Sequence, residues 1–115
     1  MAREIRHFAQ DILDAIDVVD KAIQGKSFAD FQKDDIFRLG TERAIEIISE
    51  ASRHIPDDLK ALRTEVPWQR VKAIGNVLRH EYHGLSDTII WTAVKDELPR
   101  LKVAVRAILD HINST

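Results

Sequence analysis

The chain of 115 residues has no cysteine, which excludes disulfides and thiolate metal sites and makes a reducing compartment, the cytoplasm, the expected setting. It also lacks an excess of basic charge. Seventeen Lys and Arg stand against 19 Asp and Glu, a formal charge of -2, so the field of the whole molecule does not draw in nucleic acid, and any such binding has to come from a local patch. No stretch approaches the roughly eighteen apolar residues of a membrane span, and residues 1–8 lack the apolar run of a signal peptide, so a soluble protein with no membrane contact is expected. Strand alternation, internal repeats and low-complexity segments are missing too. What is present is 44% hydrophobic residues, enough for one core, and residues 1–115 read as a single domain.

The apolar residues recur at helical spacing. Ile5, Phe8, Ile12, Ala15, Ile16, Val19 and Ile23 predict a first amphipathic helix that Gly25 ends. Ser27 and Asp30 have the spacing of an N-cap, with a short turn through Phe28 and Phe31, and Asp34 or Asp35 opens the next pattern. There Ile36, Leu39, Ala44, Ile47, Ile48 and Ala51 predict a second long helix, ended before Pro56. Residues 57–62 read as one short turn and 64–66 as loop. Ser86 is placed to cap a last helix with Ile89, Ile90, Ala93, Val94, Leu98, Leu101, Val105, Ile108 and Leu109 inward, bent or split at Pro99. The fold class is all-α: an up-and-down bundle of four main helices plus short ones.

Residues 68–82, WQRVKAIGNVLRHEY, carry the chemistry. Pro67 pre-sets φ at the helix start, and Gly84 stands where a left-handed cap is wanted. At about 100° per residue Val71, Ile74, Leu78 and Tyr82 share an apolar side, while Lys72, Asn76, Arg79, His80 and His83 share a neighbouring arc. Gly75, costly in mid-helix, predicts close approach of another backbone or a bulky ring.

The run from Asn76 to Tyr82, with Pro67 and Trp68 before it and His83 and Gly84 after it, resembles the motif helix of the HepT-like family, within the HEPN superfamily of small all-helical proteins. Residues 43–51 resemble the helix that precedes it, and the resemblance covers nearly the whole chain. It implies a HEPN-like fold and the toxin of a type VII-like toxin–antitoxin pair. Such a toxin is a metal-independent endoribonuclease without cofactor, held in check by a minimal nucleotidyltransferase antitoxin of the MntA kind. It also implies a homodimer in which two motif helices meet across a shared cleft. The family motif is Arg, four residues, His, any residue, Tyr. His80 and Tyr82 match it, but the arginine position holds Gly75.

Arg79, one turn further on, is the nearest stand-in. In this reading His80 exchanges protons with the 2′-hydroxyl and 5′-oxygen of RNA, Arg79 clamps the scissile phosphate and Asn76 binds phosphate or orients the imidazole. The resemblance implies that Tyr82 accepts AMP from the antitoxin, which would set bulk and charge beside His80. His83, Glu50 and Lys72 are supporting candidates. Plainer readings stay open: His80 hydrogen-bonded in the core, Asn76 bridging two helices, Arg79 in a surface ion pair, Tyr82 packed by its ring. A metal at His80 and His83 is rejected, because no HExxH or Glu-x-x-His pattern accompanies them. Asp11, Asp14, Asp17 and Asp20 read as a solvated face or a surface for a basic partner. The row Glu42, Glu46, Glu50 needs nearby cations, from Arg43, Arg53 or the motif helix, and Lys95, Arg100, Lys102 and Arg106 form either a solvated face or a basic strip for RNA. Gly75 also supports a reading of another class: a non-catalytic HEPN binding subunit of the nucleotidyltransferase, with cleavage lost.

Overall fold

The computed structural model describes residues 2–80 and 86–114, and of residues 2, 79 and 80 the backbone only. Its elements are α1 (Ala2–Ile23), α2 (Phe28–Lys33), α3 (Asp35–Ser52), α4 (Asp57–Lys60), α5 (Trp68–His80), α6 (Asp87–Thr92), a wide π turn (Ala93–Glu97) and α7 (Leu98–Asn113). Among the described residues there is no strand, and no helix is long and apolar enough to cross a membrane.

Helix ends fall where local chemistry can satisfy the orphan amides. Gly25, at φ 71°, supplies the left-handed residue after α1. Ser27 Oγ accepts from the Asp30 amide at 3.1 Å while the Asp30 carboxylate accepts from the Ser27 amide at 2.8 Å, a reciprocal capping box. These bonds hold the Asp30 carboxyl below its usual range. Asp34 caps α3 through the Phe37 amide at 3.0 Å, and Ser86 caps α6 through that of Ile89 at 3.3 Å. The six-residue α2 is stabilised by packing as well: Phe31 is fully buried within a ring cluster formed with Phe37 and Trp91.

α1 packs against both α3 and α7, and α3 carries α5 on its other side. Ile12, Ile16, Val19, Ile45, Ile48, Val94, Leu101, Val105 and Ile108 form the centre of the core. Across the first and last helices, Arg6 Nε donates to Asn113 Oδ1 at 2.7 Å. Lys102 Nζ on α7 pairs with Asp17 at 3.2 Å and Asp20 at 3.6 Å on α1. The acidic repeat of α1 therefore meets a basic residue of the same chain.

Two sequence expectations need correction and a third needs its place adjusted. Ile36, Leu39 and Ile47 do not face inward; they are 80%, 57% and 37% exposed. The buried side of α3 runs through Thr41, Ala44, Ile45, Ile48 and Ser52, and at 100° per residue Leu39 lies half a turn from Ile48. Ile89 is likewise half exposed, since Ile90, Ala93 and Val94 take the inward positions. The helix expected after Ser86 is divided near Pro99, as its position suggested, but the break falls before the proline, over Ala93–Glu97, and Pro99 is the second residue of α7. A proline ring crowds the carbonyl four residues back, here Lys95, and the backbone has widened over that segment, with the Leu98 amide donating to the Ala93 carbonyl.

Candidate active-site helix

α5 is fixed at its start by the indole of Trp68, whose Nε1 donates to the Arg63 carbonyl at 3.1 Å, and along its length by half-buried Val71, Ile74 and Leu78 packed on the core. Its tightest contact is at Gly75. A Cβ on that residue would lie 2.7 Å from Ser49 Cβ and closer still to Ser49 Oγ, within distances that real Cβ atoms avoid. The Ser49 hydroxyl uses the room: it accepts from the Gly75 amide at 3.2 Å and donates to the Lys72 carbonyl at 2.9 Å. The neighbour expected from sequence was a backbone or a ring. It is a serine hydroxyl, which both fills the space and satisfies its own polarity against α5. Sequence reasoning missed this role of Ser49, although a serine between Ile48 and Ala51 on an apolar face was the signal. No side chain larger than glycine's fits at 75 without movement of α3, so the arginine position is sterically closed in this packing.

The outer arc of α5 carries exposed Lys72 and Asn76, and His80 is the last described residue of the helix. The side chains of Arg79 and His80, and Tyr82 and His83 entirely, lie outside the described residues. Glu50 on α3 pairs with Arg53 at 3.7 Å and lies 3.7 Å from His54 Nε2, and Glu46 pairs with Arg43 at 3.3 Å, so cations of the same helix and of the turn after it face the acidic row. Glu42 differs. Its partial burial, with Asp87 and Glu46 nearby, raises its carboxyl above the usual range against the opposing pull of Arg38. Among the described residues no three His, Asp or Glu side chains converge as a metal site would require.

Beside α5 the chain leaves an apolar groove of about 450 Å³, with Val71, Ile74 and Val77 on one wall and Ile89, Ala93 and Leu98 on the other. The motif helix thus presents an exposed polar arc and a half-open apolar flank.

The model of the Ribonuclease HepT-like family matches residues 12–108. Among curated proteins, the chain is 35% identical to a probable ribonuclease HepT of Thermococcus cleftensis, over 89% of this chain and 93% of the relative. It is 33% identical to a protein of Caldanaerobacter subterraneus provisionally named RNase TTE0752, over 90% and 93%, and 31% identical to one of Methanocaldococcus jannaschii provisionally named RNase MJ1380, over 92% and 97%. No solved structure matches.

Proposed function

Because the chain belongs to the HepT-like family, we propose that it is a ribonuclease, and more finely a metal-independent endoribonuclease of the toxin type with its active site on the outer arc of α5. The observation that carries this is the family match running through the whole motif helix, on which Asn76 stands exposed, one turn before His80. In this reading His80 takes the 2′-hydroxyl proton of the RNA and, in its protonated form, supplies one to the departing 5′-oxygen. The 2′-oxygen bonds to phosphorus, the P–O5′ bond breaks, and a 2′,3′-cyclic phosphate remains. Arg79 and Asn76 stabilise the charge that builds on the phosphoryl oxygens. One helix offers few such groups, so the reading includes a homodimer that joins two motif helices, and the apolar flank of α5 supports it.

Regulation follows the same helix. A cytoplasmic nucleotidyltransferase partner attaches AMP at Tyr82: the tyrosine oxygen bonds to the α-phosphorus of ATP, pyrophosphate leaves and the phenolic proton is lost to a base. The added negative charge beside His80 then excludes an anionic substrate.

The test is induced expression of the wild-type chain and of His80→Ala in a bacterial host without the partner, at matched soluble levels, with RNA integrity followed in parallel. Growth arrest and RNA degradation by the wild type alone are expected. If neither arrests growth, the second reading takes its place: a non-catalytic binding subunit, for which the closed arginine position at Gly75 is the specific support.

A further inference from the structure

A second cleft opens at the other end of α5. It has a volume of about 640 Å³ and is lined by Arg53, Asp57, Lys60, Trp68, Arg70 and Lys72 among others. Four cations face one carboxylate there, in a chain whose formal charge is -2. Arg53 and Arg70 each have a long ion pair at the rim, to Glu50 at 3.7 Å and Glu97 at 3.5 Å. Among the described residues neither Lys60 nor Lys72 has a carboxylate within ion-pair distance. Lys60 instead lies over the Trp68 ring, 5.7 Å from its centroid. Burial pulls its ammonium below the usual lysine range, Asp57 opposes this, and the charge of Lys72 adds to it, so the two ammonium groups share one space. Residues of the first turn of α5, Trp68 to Arg70, line this cleft.

We infer that the cleft formed by Arg53, Lys60, Arg70 and Lys72 is a backbone-binding subsite for single-stranded RNA, holding phosphates at a distance from the scissile one. The inference rests on the ribonuclease reading and adds a place for the rest of the strand. Like-charged groups held around a common space favour a polyanion, and a basic groove that follows the phosphates is how single strands are bound without regard to sequence. Continuity with the motif decides for RNA over an acidic protein surface. Positions 72, 76 and 80 succeed one another every four residues along one side of α5, so Lys72 belongs both to the cleft and to the arc that leads to His80. Eight residues of helix rise about 12 Å, the span of roughly three to four nucleotides at ~3.4 Å per stacked step.

The test uses the full chain and a fluorescein-labelled twelve-nucleotide single-stranded RNA with 2′-O-methyl riboses, which cannot be cleaved. Anisotropy titrations across a salt series are compared for the wild type, for Lys60→Gln/Arg70→Gln/Lys72→Gln and for Lys21→Gln. A second cleft variant, Arg70→Glu/Lys72→Glu, changes exposed residues only and guards against a folding defect in the first. Each lost phosphate contact removes about 0.7 from the slope of log affinity against log salt, so the triple variant is expected to lose about 2 and to bind about tenfold more weakly. Lys21→Gln, which removes an exposed cation of α1 outside the cleft, keeps the wild-type slope. Unchanged slope and affinity in both cleft variants, or no binding by the wild type, would overturn the inference, and an acidic protein surface would then be the better occupant. Cleavage of the same sequence with ordinary riboses separates the two readings: loss of slope in the cleft variants with no cleavage by the wild type leaves the subsite standing and removes the ribonuclease.

Discussion

Gly75 and Ser49 are each ordinary alone; their meaning lies in the space they share. An arginine at 75 has to displace the Ser49 hydroxyl or push α3 away, an overpacking that costs about 1–3 kcal/mol. Gly75→Arg is therefore expected to lower the denaturation midpoint, and Ser49→Gly in the same chain to recover much of the loss; chemical denaturation of the four variants in a double-mutant cycle measures the coupling. Additive effects would mean that the two positions do not meet. Glu42 permits a second expectation. Its folded carboxyl is raised, so the folded state binds its proton more readily than the unfolded state, and stability falls as pH rises through and above the ordinary glutamate range. Glu42→Gln should raise Tm at pH 7 and lose that advantage near pH 4, and thermal melts at the two values check the sign. At this scale the sequence was legible where one residue acts on its own backbone, as at Ser27, Asp34 and Ser86. The partner of Gly75 was not, because it comes from 26 residues away on another helix.

Among the elements, the long amphipathic stripes of α1 and α7 were readable from periodicity because each faces the core over most of its length. The inward face of α3 was harder. Apolar residues occupy more than one side of it, and spacing alone does not say which side the core takes, so Ile36 and Leu39 were placed inside when they lie at the surface. Pro99 signalled a disturbance, but its position did not tell that the helix widens in the turn before it. The short α6 depends on its start: one serine hydroxyl serves the Ile89 amide, and Ile90 behind it is fully buried. Ser86→Ala is expected to cost about 1 kcal/mol, read as a shift of the urea midpoint with unchanged slope. A change under a few tenths would show that packing of Ile90 holds the helix unaided.

For the molecule as a whole, the near-balanced charge makes local arrangement decisive. Lys102 is held by the acids of α1, which takes part of the basic strip of α7 out of play, while the cations around Lys60 remain gathered around one cleft. Composition gave the net charge, and the topology that gathers residues 53, 60, 70 and 72 was beyond it. The proposed pairing of motif helices predicts twice the 13.2 kDa chain mass in light scattering at micromolar concentration. A mass of one chain at the highest concentration tested would leave the shared cleft without its second half. The hydrogen bond between Arg6 and Asn113 has a further consequence, for connectivity. With the beginning of α1 and the end of α7 side by side, a short linker should close the chain into a ring, and a cut after Gly25 should reopen it as a circular permutant in which α7 and α1 form a helical hairpin.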